Sequence, residues 1–95
     1  MSTVSLSQGS YSNVTSTTAI TTIPAILTGF YVNNTTGGTL VLRDGGPSGT
    51  GTTVSGTITP AIGWHFFPAS FPKSIHATIA NTLDVTFVYN PTPVT

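Results

Sequence analysis

The 95 residues suit one compact domain, and the absence of cysteine excludes both a disulfide framework and a thiolate zinc site. Only Arg43, Asp44, Lys73 and Asp84 carry formal charge, for a net of zero, so no basic patch exists to hold a nucleic-acid backbone. In place of charge stand 20 Thr and 10 Ser, whose hydroxyls keep a surface wettable yet desolvate more cheaply than ions do, a composition suited to surfaces that become covered.

Residues 1–22 are rich in Ser and Thr, with scattered apolar positions at Val4, Leu6, Tyr11, Val14 and Ile20. The alternation Thr3-Val4-Ser5-Leu6-Ser7 reads either as a first strand or as an extended arm that reaches a neighbouring subunit by strand addition. On the arm reading, removal of Met1 to Thr22 abolishes binding within an assembly and leaves the fold intact. This stretch has neither a basic n-region nor a continuous apolar h-region, so synthesis in the cytoplasm without an export signal is the expectation. No apolar run approaches the ~18–20 residues of a membrane helix.

Residues 23–95 carry the period-2 signal of strands, punctuated by turn residues at short intervals. Ile26, Phe30 and Val32 are expected on one face of a strand ending at Asn33-Asn34-Thr35-Thr36-Gly37-Gly38. The Gly37-Gly38 pair then predicts a hairpin into Thr39-Leu40-Val41-Leu42-Arg43. Asp44 to Gly51, with four glycines and a proline, reads as turn and loop. Thr52 to Ile58 is the next predicted strand, closed by Pro60. Trp64-His65-Phe66-Phe67 is a short aromatic strand that Pro68 is expected to stop. Ile75, Ala77 and Ile79 alternate with His76, Thr78 and Ala80, and Asn81-Thr82 reads as a turn. Leu83, Val85, Phe87 and Tyr89 form the clearest amphipathic strand, and Asn90-Pro91-Thr92-Pro93 ends it. No stretch shows a capped 3.6-residue period. The expected fold is all-β: one antiparallel β-sandwich domain of six to eight short strands behind an extended N-terminal segment.

Titratable groups are few. His76 and Asp84 with Ser74 form the best catalytic constellation, but no serine sits in a nucleophile elbow, so no enzyme activity is expected. His65 and His76 lack a third ligand, Asp44-Gly45-Gly46 has one carboxylate where a calcium loop needs several, and the glycine run from Gly45 to Gly51 lacks the lysine of a phosphate loop. Neither a metal nor another cofactor is expected. Three Asn-X-Thr sequons, at Asn13, Asn33 and Asn34, are what a Thr-rich chain produces by chance.

The aromatic group Trp64, Phe66, Phe67 and Phe71, punctuated by Pro68 and Pro72, is the most informative local feature. Trp64 and Phe66 are expected on one face of their strand, with His65 and Phe67 on the other. One pair fills the core; the other closes a second layer, anchors a partner, or stacks on a sugar. Val4, Leu6, Tyr11, Trp64, Phe67 and Phe71 are the candidate partner-interface residues.

The runs Gly29-Phe30-Tyr31-Val32-Asn33, Thr39-Leu40-Val41-Leu42-Arg43-Asp44-Gly45, Ser55-Gly56-Thr57-Ile58-Thr59-Pro60, Phe71-Pro72-Lys73-Ser74-Ile75-His76-Ala77-Thr78 and Leu83-Asp84-Val85-Thr86-Phe87-Val88-Tyr89 together resemble small virion proteins of tailed bacteriophages. Among these the nearest role is that of the capsid decoration, or cement, proteins. The resemblance spans Gly29 to Tyr89 and its motifs are structural. It implies a β-rich clamp on the outer shell that bridges neighbouring capsid proteins. The implied partners are the major capsid protein and other copies of the chain, with a trimer favoured and no nucleic acid or membrane involved. Head fibres and neck or tail components carry similar motifs, which leaves a head–tail connector or tail subunit as a second expectation. A carbohydrate- or receptor-binding module using Trp64 is a third.

Overall fold

A computed structural model describes residues 10–45 and 51–91, and among these every regular element is a strand. The strands are β1 (Ser10–Val14), β2 (Thr18–Ala19), β3 (Ala25–Asp44), β4 (Thr52–Thr53), β5 (Gly63–Phe71) and β6 (Ile75–Pro91). They form one antiparallel sheet of six strands.

Its spine is a two-stranded ribbon. β3 and β6 pair from Ala25 opposite Pro91 to Asp44 opposite Ile75. β3 has 20 residues against 17 in β6, and three register shifts, at Leu27/Gly29, Val32/Asn34 and Thr36/Gly37, absorb the difference. The shifts keep two different alternations in phase. β6 turns odd-numbered residues inward on both sides of Asn81, which is itself exposed: Ile75, Ala77, Leu83, Val85 and Phe87 are all buried. β3 buries Ala25 and Leu27, then changes phase at Thr28 and buries Phe30, Val32, Leu40 and Leu42. One inserted residue moves a strand's side chains to the opposite face. Ile26 is therefore exposed, and the expected face of Ile26, Phe30 and Val32 is corrected to Leu27, Phe30 and Val32.

The predicted hairpin at Gly37-Gly38 and the predicted turn at Asn81-Thr82 are both absent as chain reversals. They lie opposite one another in the middle of the ribbon, with Gly37 paired to Thr82. Each carries one residue in the left-handed region, Gly37 at φ 62° and Asn81 at φ 61°. Asn81 Nδ2 donates to the Gly37 carbonyl at 2.9 Å, tying the two irregularities together. The following Gly38 is buried beneath the other strand, where a Cβ would stand 2.7 Å from that of Leu83. Left-handed backbone and local bulges bend a ribbon as readily as they turn a chain. Drawn straight at about 3.3 Å per residue, β3 would run to roughly 63 Å. The molecule's longest dimension is 46 Å, so the ribbon bends.

The shorter strands flank the two halves of this ribbon. One half has the order β1-β6-β3-β5, the other β2-β6-β3-β4. The N-terminal segment is integral from residue 10. β1 pairs Ser10 with Tyr89 through Val14 with Val85, and β2 pairs Thr18 and Ala19 with Ala77 and His76. Between and beyond them threonine hydroxyls complete the ladder. Thr17 Oγ1 donates to the Ile79 carbonyl and accepts from its N–H; Thr21 Oγ1 accepts from Ile75 N at 2.9 Å and donates to the Ile23 carbonyl at 2.8 Å. Val14 and Ile20 enter the core. β1, β2, Val14 and Ile20 are thus part of the sheet and core, so removing residues up to Thr22 would take away structured chain, which counts against the expectation that the deletion spares the fold. Val4 and Leu6 lie outside the described residues.

Two further expectations change. The strand predicted from Thr52 to Ile58 is reduced to β4 plus a bridge between Ile58 and Leu40, with Ser55 Oγ accepting from Leu42 N between them. β5 continues through Pro68 to Phe71. It pairs only with β3 among the described residues, and on an edge strand a missing N–H costs no ladder bond. Asp44 Oδ1 accepts from the N–H groups of Lys73 and Ser74, so this carboxylate fixes the β5–β6 turn. The core is a single cluster in which Phe30, Phe71 and Phe87 are the largest wholly buried side chains.

Candidate functional site

The catalytic constellation weighed from the sequence does not assemble. His76 and Asp84 lie on the same strand eight residues apart, roughly 26 Å along extended chain. His76 sits opposite Arg43 and Ala19, is 3% exposed, and its Nδ1 has no hydrogen-bond partner. Burial, and then the Arg43 guanidinium beside it, lower its pKa below the ordinary 6.5. Asp84 instead accepts from Asn13 Nδ2 at 2.7 Å and Asn33 Nδ2 at 3.3 Å. His65 stacks on Phe30, ring centroids 5.2 Å apart, and its Nε2 lies 2.7 Å from the Ala61 carbonyl. No group of three potential metal-ligating side chains occurs among the described residues. A shallow depression of about 270 Å³ between Ile20–Ile23, Tyr89 and Pro91 is lined by apolar and hydroxyl groups alone, with nothing titratable except the Tyr89 phenol.

What the fold does assemble is an aromatic surface. On β5 the odd-numbered side chains turn inward: His65 reaches Phe30, Phe67 and Ala69 pack on the core edge, and Phe71 is wholly buried. The even-numbered ones turn out, so Trp64 and Phe66 share the outer face, as the alternation of the sequence leads one to expect. Sheet register carries that face across four strands. One row runs Tyr11, Val88, Gly29, Phe66; the next runs Asn13, Thr86, Tyr31, Trp64; and Ile26 follows between Asn90 and Ser70. Tyr11 is 76% exposed, Phe66 69%, Trp64 46%, Ile26 46% and Tyr31 45%. These five large side chains form one outward-facing group on the β1-β6-β3-β5 half.

Gly29 is the seat of this surface. Its position lies under the Trp64 indole, and a Cβ there would come within 2.8 Å of Trp64 Cζ2 and collide with the His65 carbonyl oxygen. The absent side chain lets the ring lie against the sheet, so Trp64 is only half exposed and is backed by main chain. Beside it lies a polar cluster. Asn13 and Asn33 both donate through Nδ2 to Thr86 Oγ1, at 3.0 and 3.1 Å, as well as to Asp84. Asp84 is the face's one formal charge among the described residues.

Of the interface candidates named from sequence, Tyr11 and Trp64 stand on this face. Phe67 points the other way and is partly buried against the core. Phe71 is removed from the set: fully buried, it has no surface to offer a partner. Phe66, Tyr31 and Ile26 were not among the candidates, although Phe66, two positions from Trp64 on one strand, was legible as its neighbour. No protein-family model, no curated protein and no solved structure matches the chain.

Proposed function

We propose that this chain is a non-catalytic structural protein of a tailed-bacteriophage particle, held on the outer surface of the capsid, where it bridges neighbouring capsid subunits. The observation that carries the reading is the contiguous outer face of Tyr11, Ile26, Tyr31, Trp64 and Phe66 on a domain with four formal charges. A patch of this kind stands at the upper end of what isolated soluble proteins expose, and such patches are often interaction sites. The resemblance of Gly29 to Tyr89 to decoration proteins supplies the particle. The major capsid protein and other copies of this chain are the proposed partners. The bend in the β3–β6 ribbon favours a sandwich-like arrangement, since strands that change sheets in sandwiches do so at bulges. Image reconstruction of particles with and without the protein tests the reading: a decoration protein occupies many equivalent sites over the shell, whereas a connector or tail component forms one ring at a vertex or lies along the tail.

One observation favours a second reading, a carbohydrate-binding module. Trp64 and Tyr31 lie beside the side-chain amides of Asn13 and Asn33 and the Asp84 carboxylate, so flat apolar rings and planar hydrogen-bonding groups occupy the same face. A pyranose ring offers the complementary pair, an apolar C–H face and a hydroxyl edge. Trp64 is the single tryptophan, so a saturable quench of its fluorescence by oligosaccharides, lost in Tyr31→Ala, identifies this function. No response across a panel of neutral hexose and N-acetylhexosamine oligomers rejects it.

A further inference from the structure

We propose that the outer aromatic face is a self-association surface, and that its occupant is a second copy of this chain. The proposal rests on the reading above that the protein works by packing within an assembly, and it names which surface is packed and against what.

Area is the first argument. Tyr, Trp and Phe present roughly 150–250 Å² each when fully exposed. Scaled by the exposures of Tyr11, Ile26, Tyr31, Trp64 and Phe66, the face offers about 600 Å² of apolar surface. A stable interface takes about 800 Å² from each partner, with an apolar centre and a polar rim. The five side chains supply such a centre, and Asn13, Ser70, Thr86 and Asn90, their neighbours in the register, supply the rim.

Charge is the second. In a closed symmetric assembly the residues nearest the axis meet their own copies, so a face bearing several charges of one sign opposes itself. This face has no Lys or Arg among the described residues, and its single carboxylate is held by two amides. It therefore presents no cation to the phosphates of a nucleic acid or a lipid headgroup, and its self-repulsion is limited to one carboxylate per copy. Rigidity is the third. Trp64 is laid on Gly29 and the rows stand on paired strands, so the backbone of the face and its central ring have little freedom to lose on association. Tyr and Trp are also the residue types on which interface energy concentrates.

The test is the mass of the full chain in solution, by sedimentation velocity over a concentration series, compared with Phe66→Ser, Tyr11→Ser and Val54→Ser. Val54 is exposed but adjoins β4, in the other half of the ribbon, and serves as the control. The parent chain is expected to self-associate. Phe66→Ser and Tyr11→Ser should each weaken association by roughly tenfold or more, with Val54→Ser unchanged and all variants giving the parent circular-dichroism spectrum. A parent chain that stays monomeric to about 100 µM, beyond the µM-to-pM range that standard-size interfaces span, overturns the proposal. So does an oligomer that Phe66→Ser and Tyr11→Ser leave intact, or a monomer whose Trp64 fluorescence is quenched by an oligosaccharide. A monomer that still decorates particles overturns self-association alone and leaves the structural role standing; an oligomer missing from particles does the reverse.

Discussion

Gly29→Ala tests whether the aromatic surface is built on an obligatory glycine. In an ordinary strand this substitution stabilises by roughly 0.4–1 kcal/mol, because alanine has less freedom to lose on folding. Gly29 does not use a left-handed backbone, so torsion alone permits alanine. The obstacle is space. The new Cβ meets the His65 carbonyl oxygen, a backbone atom fixed by the pairing of β3 with β5, as well as Trp64 Cζ2 at 2.8 Å. The indole can swing away, but the carbonyl cannot move without separating the two strands. Overpacking of this kind costs about 1–3 kcal/mol, which outweighs the entropic gain and leaves a net loss of roughly 1–2 kcal/mol. For a domain of this size the melting temperature should fall by roughly 4–16 °C. Urea unfolding followed by circular dichroism measures the loss, and Trp64 emission should shift to the red as the ring is lifted into water. Gly56→Ala is the control, since nothing lies within 4 Å of its Cβ position. If Gly29→Ala is as stable as its parent and its emission is unchanged, Trp64 does not rest on Gly29 and the rigid face is an incorrect description.

Three further outcomes follow from the same contacts. Because His76 has a lowered pKa in the fold, the unfolded chain takes up its proton first; stability should be complete above about pH 6.5 and decline as pH falls below it. Thermal melts from pH 7.5 to 5 should show this decline reduced in His76→Gln, and equal slopes for the two proteins would refute it. Asn81→Val should destabilise by about 1–3 kcal/mol, because a β-branched residue is strained at φ 61°, and Asn81→Gly should cost less; equal chemical-denaturation midpoints for the two variants would contradict a backbone origin. Removal of residues 1–22 takes away β1, β2 and the buried Val14 and Ile20 and should abolish cooperative unfolding. A cooperative melt from the shorter 23–95 chain would show that the N-terminal strands are dispensable.

The sequence revealed alternation better than it revealed pairing. β6 keeps one phase from Ile75 to Phe87, so its inward residues could be read directly from Leu83, Val85 and Phe87. β3 does not: Thr28 adds a residue that no local pattern marks, and Ile26 moves outward as a result. Gly37-Gly38 and Asn81-Thr82 were correctly legible as irregular backbone but not as a bend. Whether a left-handed residue reverses a chain or kinks it depends on which strand lies opposite, and here each kink faces the other across 45 residues of sequence. Pro68 hid the second half of β5. Once the strand continues through it, the alternation Phe67, Ala69, Phe71 places Phe71 in the core and leaves Trp64 and Phe66 on the surface. The surface itself was only partly visible because Tyr11, Tyr31 and Trp64 come from three strands, and only non-local register joins them.

The most direct test of the structural role is an image reconstruction of phage particles carrying the protein, at a resolution that separates individual copies. The account predicts density for this domain at many equivalent positions on the outer shell, in contact with the major capsid protein. Absence of the chain from the shell, or its confinement to a single vertex, would contradict that role.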